Sequence, residues 1–412
     1  MKNNINKKLV CFDTAYSLAQ YEAGGLDMFQ EGKLLNGYFK KIFVINIASN
    51  IKNPDLIGKS KLIKLSKHLE YLDVPLGRFR FLSAFKKINF IFSILSTLIA
   101  VRRICKKNNV SFIRGEDAEI NGLLAMIISK IMGIPLFIGV WGNPAEIRND
   151  TGKPMWPYLL RFIAVEVFLE KLVLKFADRV MVQNENNKNF VVNILKSDEK
   201  IRLFKVSNQI DDLHYQDPQL RDKPPDFFKE FQLVGKKKII IISRLEEEKR
   251  VLDAIKVISY LVNIKSMPVD FFICGVGPEE DFLKEYATQE KVINNIHFCG
   301  MRNQSWLSTA IPLMDLCISP ITGRALVEVA LGGVPVVGYD RDWQAEIIEH
   351  NISGYICKFS DIEALSNFSN LVLLNHKMAK EMGCELRKKA LKAFNKADAL
   401  KMEQSCYDEL LK

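Results

Sequence analysis

Two positively charged residues directly after a strongly apolar run are the first feature of the sequence that could do chemistry. Residues 236–249 read KKKIIIISRLEEEK, in which an isoleucine run leads to Arg244 and then to Lys249. A β-branched run of this kind predicts a buried strand of a parallel sheet. Ligands of open α/β sheets lie beyond the carboxyl ends of such strands, so these cations are candidates to hold a diphosphate. A solvated, charged start of a helix explains the same residues equally well.

A second candidate binding segment is ITGRALVEVALGG at 321–333. Gly323 precedes a predicted helix that runs to about Leu331, and the amino end of a helix attracts phosphate. The amides that would form this end are those of Arg324, Ala325 and Leu326. Glu328 lies one turn into the helix, where its carboxylate could accept hydrogen bonds from two neighbouring hydroxyls at once. The alternative for Glu328 is a carboxylate that only complements the helix dipole.

The composition is that of an ordinary folded protein with a positive charge balance. Of the 412 residues, 48% are hydrophobic and 26% are charged, and such a length predicts about two to three domains. The net charge of +10 favours an anionic partner, which could be nucleic acid, acidic lipid headgroups or a phosphorylated substrate. Since the sequence carries no recognised nucleic-acid-binding motif, we expect no nucleic-acid partner.

The cysteines and the amino terminus bear on the compartment. Eight cysteines are scattered without a CxxC pair, which indicates a reducing, cytoplasmic environment. Only a short apolar piece precedes Asp13, so we expect no signal peptide. The longest apolar stretch, from Ile88 to Val101, is shorter than the roughly 20 residues that cross a bilayer, and we therefore expect no spanning helix.

Strand-like runs alternate with helical runs in two series along the chain. The predicted strands are 8–12, 40–49, 110–115, 135–142 and 177–184 in the first series and 238–244, 269–277, 295–300, 315–320 and 334–339 in the second. A polar, proline-containing stretch between His214 and Leu233 predicts a linker. The alternation predicts an α/β protein of two doubly wound domains that face each other across a cleft. We place these domains at 1–210 and 211–396, with a helix at about 397–412 packing back onto the first.

Several of these segments together resemble the retaining glycosyltransferases of family four, whose GT-B fold consists of two facing Rossmann-like domains. The resemblance spans nearly the whole chain and is strongest in SRLEEEK (243–249), CGVGPEE (274–280), IHFCGM (296–301) and SPITGRALVEVALGGVPVVGYDRDWQAEII (319–348). It implies a nucleotide-sugar donor, linked to UDP or GDP, with no additional cofactor. The acceptor that it implies is a glycan or a lipid-linked glycan.

The resemblance also implies roles for single residues. Glu328 matches a carboxylate that accepts hydrogen bonds from the ribose of the nucleotide. Further binding positions that it implies are Met301 and Arg302 near the base, Gly275 and Gly277 after a strand, and Gly24 and Gly25 in the first loop. Each glycine pair is also explained as a plain turn. The chain departs from the family at Pro320, which replaces a glutamate that contacts the transferred sugar in relatives.

Acidic residues after the strand at 110–115 are candidates to orient the acceptor. The segment RGEDAEIN at 114–121 supplies Glu116 and Asp117, and the resemblance implies that residues here lie near the transferred sugar. The alternative is a pair of solvated acids at the start of a helix.

The expected activity is a metal-independent transfer with retention of configuration, in bacterial surface polysaccharide synthesis. Arg244 and Lys249 would neutralise the leaving diphosphate, where a metal-dependent enzyme uses an acidic DxD-type pair. Retention is implied by the resemblance alone. A hydrolase or epimerase of the same fold is the nearest enzyme alternative. A relative that binds nucleotide sugars without turnover is also open, because of Pro320.

A basic and aromatic segment at 76–107 suggests contact with a membrane. It reads LGRFRFLSAFKKINFIFSILSTLIAVRRICKK, and such a mixture suits the surface of an anionic bilayer. For the apolar run itself we favour a buried helix whose cations solvate its ends. For the flanking piece from Arg78 to Lys87 we favour the membrane. The expected location is therefore cytoplasmic, peripheral on the cytoplasmic face of the inner membrane.

Overall fold

The protein folds into two compact units in a computed structural model. The structure describes residues 6–15, 32–47, 58–157, 159–205, 210–221, 235–321 and 323–411. The amino-terminal unit comprises residues 1–209 and 396–412, and the carboxyl-terminal unit comprises residues 210–395. These divisions lie within one residue of the boundaries placed from the sequence.

The amino-terminal unit contains an eight-stranded sheet with helices in the crossovers. Its strands are β1 Lys8–Phe12, β2 Lys41–Asn46, β3 Lys61–Lys64, β4 Leu69–Asp73, β5 Phe112–Gly115, β6 Leu136–Val140, β7 Arg179–Val182 and β8 Ile201–Leu203. Their order is β3-β4-β2-β1-β5-β6-β7-β8, and β3 is antiparallel to β4 while the other pairs are parallel. The helices are α1 Lys86–Asn108, α2 Ile120–Met132, α3 Pro144–Thr151, α4 Ile163–Phe176 and α5 Glu185–Leu195.

The carboxyl-terminal unit contains a six-stranded, fully parallel sheet. Its strands are β9 Lys237–Ile242, β10 Val269–Cys274, β11 Ile296–Gly300, β12 Leu316–Ser319, β13 Val336–Tyr339 and β14 Gly354–Cys357, in the order β11-β10-β9-β12-β13-β14. The helices are α6 Val251–Ser259, α7 Glu280–Gln289, α8 Gln304–Ala310, α9 Ala325–Leu331, α10 Gln344–Ile347, α11 Ile362–Leu374 and α12 His376–Ala393. Ile239, Ile240 and Ile241 are fully buried, as a central strand between two helical layers requires.

Every strand predicted from the sequence is present in this fold. Four further strands were not predicted, namely β3, β4, β8 and β14. They are three to five residues long, and β3, β8 and β14 lie at sheet edges. Short strands with exposed or charged positions lack the apolar run by which a central strand is recognised.

The helix α13, Lys396–Asp408, packs within the amino-terminal unit. Tyr407 on this helix is fully buried, and its ring lies 5.1 Å from that of Phe112 and 4.4 Å from that of Phe137. Its hydroxyl accepts a hydrogen bond from Arg114 at 3.0 Å. The helix therefore closes one side of the amino-terminal core.

Removing the Tyr407 ring should destabilise the amino-terminal unit. Tyr407→Ala should lower the free energy of unfolding by about 3–5 kcal/mol, because it leaves a large cavity among packed rings. Chemical denaturation followed by circular dichroism measures the change. Met402→Ala removes an exposed side chain of the same helix and should alter the value by less than about 0.5 kcal/mol. Equal effects of the two substitutions would contradict a core role for Tyr407.

Candidate functional site

The strand order of the carboxyl-terminal sheet reverses next to β9. From β9 the chain proceeds to β10 and β11 on one side, and afterwards to β12, β13 and β14 on the other. The loops that follow β9 and β12 therefore leave in opposite directions, which opens a crevice at the carboxyl ends of these two strands. The first loop carries Arg244 and Lys249, and the second carries Arg324. Residues about 80 positions apart in sequence thus meet at one sheet edge.

The two cations after β9 are paired with neighbouring glutamates. Arg244 is 60% exposed, and its guanidinium lies 2.6 Å from Glu246 and 2.8 Å from Glu248. Lys249 is less exposed and lies 3.7 Å from Glu248. The solvated, self-paired arrangement that the sequence left open is therefore the one in the structure. A diphosphate that binds here must displace the glutamates from Arg244 and Lys249.

Gly275 and Gly277 allow two loops to pack backbone against backbone. A Cβ on Gly275 would lie 1.8 Å from the carbonyl oxygen of Ser243, and one on Gly277 would lie 2.2 Å from that of Leu245. Gly275 also has a φ of +152°, which side chains rarely adopt. The amide of Leu245 donates to the Val276 carbonyl at 3.1 Å. These glycines therefore position the loop that carries Arg244. The close approach that they permit is to the backbone of Ser243 and Leu245.

Glu328 is buried and ion-paired at the first turn of α9. It is 1% exposed, and one carboxylate oxygen accepts from Nε of Arg324 at 3.2 Å. The expectation for Leu326 needs correction, because its amide already donates to the Gly323 carbonyl at 3.1 Å. Its side chain is also buried in the core. Leu326 therefore closes the first turn, and its amide does not face a ligand.

Pro320 is held in place by Gln344, which the sequence did not single out. The amide nitrogen of Gln344 donates to the carbonyls of Pro320 and Tyr339, both at 3.0 Å. Its amide oxygen accepts from the hydroxyl of Ser319. One buried side chain thus links the ends of β12 and β13. The backbone of Pro320 is fixed, although its side chain offers no hydrogen bond to a sugar.

The remaining predicted donor positions lie further from β9 or outside the described residues. Met301 is 72% exposed, and Arg302 donates to the Cys299 carbonyl at 3.0 Å and lies over the Trp306 ring. Both follow β11, two strands from β9, which corresponds to about 10 Å across the sheet. Gly24 and Gly25 are outside the described residues.

Glu116 lies in a buried charge cluster of the amino-terminal unit. Its carboxylate accepts from Arg114 at 3.0 Å and from the Trp141 ring nitrogen at 2.6 Å. Lys33 lies 3.4 Å away, and the Cys11 thiol donates at 3.1 Å. Burial alone would raise its pKa, but the charges of Arg114 and Lys33 lower the pKa to about 2.

Asp117 caps the start of α2. One carboxylate oxygen accepts from the amides of Glu119 and Asn121, both at 3.0 Å. Burial raises the pKa of Asp117 to about 6, although these hydrogen bonds oppose the shift. Both acids therefore organise the loop after β5 through internal contacts and are not the solvated acids of the alternative. Direct contact of either one with an acceptor stays a prediction.

Comparison with known proteins identifies the carboxyl-terminal unit. Residues 222–389 match the family described as Glycosyl transferases group 1. The carboxyl-terminal unit is similar to this family over most of its length. The match covers the loops after β9, β10 and β12, which carry Arg244, Gly275 and Glu328. The resemblance seen in the sequence is confirmed for this part of the chain.

Solved structures extend the likeness in fold to both units. Sucrose-phosphate synthase from Thermosynechococcus elongatus has a TM-score of 0.75 at 13% identity and covers 98% of this chain and 99% of its own. Anabaena HepE, solved with UDP and glucose, has a TM-score of 0.71 at 15% identity with the same coverage. These likenesses confirm the GT-B fold.

Two curated proteins are similar to part of the chain. The chain is 22% identical over 167 residues to 2-deoxystreptamine N-acetyl-D-glucosaminyltransferase of Niallia circulans, covering 40% of this chain and 43% of the relative. It is 23% identical over 195 residues to N-acetyl-alpha-D-glucosaminyl L-malate synthase of Bacillus anthracis, covering 45% and 49%. The chain thus matches less than half the length of each.

His214 is a further titratable residue of the carboxyl-terminal unit, and the charge of Glu328 acts on it. It is fully buried on a 3-10 turn at Asp212–Tyr215, and its Nε2 lies 2.7 Å from Oε1 of Gln304. Its Nδ1 is without a hydrogen-bond partner among the described residues. Burial lowers the pKa of His214, and the charge of Glu328 opposes this shift. In the sequence, His214 was noted only as the start of the predicted linker.

Replacing Glu116 should reveal whether it stabilises the fold. Glu116→Gln should cost about 3–5 kcal/mol at pH 7, because Arg114 and Lys33 lose a buried counter-charge. Since the folded pKa of about 2 is below the usual 4.5, the stabilisation is complete above pH 4.5 and is lost as the pH falls toward 2. The variant should lack this acid-side loss in denaturation curves measured across pH.

The matched control for this measurement is Glu185→Gln. Glu185 is a largely exposed carboxylate of the same unit, 3.7 Å from Lys188, and surface pairs contribute about 0–1 kcal/mol. Wild-type stability of Glu116→Gln at pH 7 would show that the cluster does not depend on this carboxylate.

Proposed function

We propose that the chain transfers a sugar from a nucleotide sugar to a glycan or lipid-linked glycan, with retention of configuration and without a metal ion. The observation that carries the proposal is the strand-order reversal, at which Arg244 and Lys249 follow β9 while Arg324 and Glu328 follow its neighbour β12, within the residues that match the group 1 family. This edge is where open α/β sheets bind their ligands. Its cations suit a diphosphate, and its buried carboxylate suits sugar hydroxyls.

The donor class is supported by what the related proteins bind. HepE was solved with UDP and with UDP-glucose, and TarM of S. aureus was solved with UDP. One curated relative is the poly(glycerol-phosphate) alpha-glucosyltransferase of Bacillus subtilis, 27% identical over 173 residues. We therefore propose a UDP-linked sugar as the first donor to test and a GDP-linked sugar as the second. The setting that we propose is surface glycan synthesis on the cytoplasmic side.

The proposed reaction begins with an exchange of charge partners. The diphosphate replaces Glu246 and Glu248 around Arg244, so that the guanidinium is carried from one anion to another. The bond between the anomeric carbon and the phosphate oxygen then breaks, and a bond to the acceptor oxygen forms on the same face. The acceptor proton passes to the departing phosphate. Arg244 and Lys249 stabilise the negative charge that develops there.

Pro320 favours a second candidate function. It offers no side-chain hydrogen bond, while its carbonyl is occupied by Gln344, so the transferred sugar lacks one contact that relatives use. A protein that binds nucleotide sugars but does not transfer the sugar would tolerate this loss. Release of UDP that depends on an added acceptor distinguishes transfer from hydrolysis and from binding alone.

A donor screen by thermal shift tests the proposal directly. A matching nucleotide sugar at 100 times its dissociation constant should stabilise the folded state by about 2.7 kcal/mol, because it binds only that state. Glu328→Gln should abolish the shift given by the sugar donor while keeping the fold, since it removes one acceptor oxygen. Glu363→Gln, a change on α11, should leave the shift intact. Absence of a shift with every UDP- and GDP-linked sugar would refute donor binding.

Loss of Arg244 should affect turnover more than donor affinity. Arg244→Ala should lower kcat by about 30- to 1000-fold, or about 2–4 kcal/mol, because its contact strengthens as the phosphate leaves. Steady-state assays of UDP release with and without EDTA measure this, and EDTA should have no effect. Lys284→Ala removes a partly exposed cation of the same unit and serves as the control. Near-normal kinetics of Arg244→Ala would remove Arg244 from the reaction.

A further inference from the structure

The helix α1 leaves one apolar side outward, while its inward side carries polar as well as apolar residues. Its buried residues include Asn89, Ser93 and Thr97. Its large exposed residues recur every three to four positions and form one continuous stripe, which we call the apolar stripe: Ile88, Ile91, Phe92, Leu95 and Ile99. Val101 and Cys105 are buried as well, so α1 packs one side on the core, as an ordinary surface helix does, and leaves a second apolar side exposed where such a helix is polar.

Hydrogen bonds fix α1 in this rotation. The side chain of Asn89 accepts from the amide of Phe79 at 2.9 Å and donates to the carbonyl of Phe79 at 2.8 Å. Ser93 accepts from the amide of Arg78 at 2.9 Å, and Ser96 accepts from its guanidinium at 2.8 Å. Turning the stripe inward would leave these buried polar groups without partners, at a cost of about 1–3 kcal/mol for each group. The outward apolar side is therefore a built feature of the fold.

The surface around the stripe is basic and aromatic. Phe81, which is 79% exposed, and Phe85 extend it before the helix begins. Exposed cations lie at both ends of α1, namely Lys86 and Lys87 at the start and Arg102, Arg103, Lys106 and Lys107 at the end. The whole segment 76–107 contains no Asp or Glu. An apolar surface with a rim of a single positive sign complements an anionic bilayer.

We propose that the apolar stripe docks α1 on the surface of an anionic lipid bilayer, with the helix lying in the plane of the membrane. The stripe then enters the boundary between headgroups and acyl chains, and the cations contact lipid phosphates. The earlier expectation of a buried helix holds for one side of α1, where Val101 is buried and Ile94 and Leu98 pack against the core, whereas the apolar stripe faces outward. The proposal is independent of the donor site, since it rests only on residues of the amino-terminal unit.

The same observations distinguish the membrane surface from two other occupants. At 23 residues, α1 is long and apolar enough to cross a bilayer by length and composition, contrary to the expectation from the sequence. Its uncharged stretch from Ile88 to Val101, however, covers only about 21 Å, against a hydrocarbon core of about 30 Å. A second copy packed by a two-fold axis would place two positive rims against each other.

Flotation of the full chain with lipid vesicles tests the docking. The protein should float with phosphatidylcholine vesicles that contain about 30% phosphatidylglycerol and should remain behind with pure phosphatidylcholine. Raising the salt from about 0.1 M to about 1 M should release most of it, because the headgroup attraction is screened. Failure to float on the anionic vesicles at low salt overturns the proposal. Retention through high salt and alkaline carbonate also overturns it, since that result indicates a spanning helix.

Variants on the outer side of α1 identify the contact. Ile91→Ser with Leu95→Ser should lower partitioning about tenfold or more, and Arg102→Gln with Arg103→Gln should lower it about 25-fold at low salt. Phe282→Ser with Leu374→Ser changes exposed apolar residues of the carboxyl-terminal unit and should leave flotation unchanged. Each variant should keep the wild-type unfolding temperature.

The variants also decide between lipid and a second copy of the chain. Flotation of the Ile91→Ser and Leu95→Ser variant at the wild-type level would overturn the role of the stripe. Light scattering coupled to size-exclusion chromatography gives the oligomeric state of the same samples. If the wild type is a dimer that does not float and this variant is a monomer, the stripe is a protein interface and the membrane proposal fails.

Discussion

The backbone contact between Gly275 and Ser243 is the constraint on which the sheet edge proposed to bind the donor depends. Two loops that follow neighbouring parallel strands approach so closely that any Cβ at position 275 would lie 1.8 Å from a carbonyl oxygen. The amide and carbonyl of Leu245 are then bonded to Val276 and Glu279. The chain between β9 and Arg244 has little freedom as a result. Because this loop is rigid, the Arg244 side chain can exchange ion-pair partners while its backbone stays in position.

The charges of the donor edge illustrate how a basic site is kept folded without its ligand. Arg244 pairs with Glu246 and Glu248, two and four residues later, and the buried Glu328 pairs with Arg324. The pairs of the exposed Arg244 contribute about 0–1 kcal/mol, so an incoming diphosphate can displace these glutamates at little cost. The buried pairs of the amino-terminal unit behave differently. Arg114 is held by Glu116 and Glu403 out of contact with water, and removing one partner leaves a charge stranded.

How much the sequence predicts differs between backbone and side chains. The isoleucine run, the CGVGP turn and the segment at 321–333 correctly indicated central strands and their loops, because buried parallel strands have long apolar runs. The meeting of the β9 and β12 loops followed from that topology. The ion pairs of Arg244 with Glu246 and Glu248 could not be predicted from the sequence, because the arginine side chain can adopt several rotamers on the same backbone. The strands β3, β4 and β8 were missed because three to five residues with charged positions carry little pattern, and β14 was missed because it is only four residues long.

The sequence pattern did not show that α1 has an exposed apolar side in addition to the side that packs on the core. An apolar run is ordinarily assigned to the core, and only the hydrogen bonds from Asn89 and Ser93 to residues 78 and 79 reveal which side of the helix faces inward. Those bonds are made by asparagine and serine residues whose partners lie 10 and 15 positions earlier in the chain. A periodicity analysis of the sequence detects the polar residues on one side of α1. It does not show whether water or backbone groups form hydrogen bonds with their side chains.

The position of α13 has a consequence for the order in which the protein can fold during synthesis. The amino-terminal unit is discontinuous, and residues 396–411 leave the ribosome only after the entire carboxyl-terminal unit. Until then the rings of Phe112 and Phe137 lack the Tyr407 side chain that covers them. Domains usually complete themselves in order from the amino end as translation proceeds. Here the carboxyl-terminal unit can finish folding first. The amino-terminal core stays incomplete, and exposed to chaperones, until α13 has been synthesised.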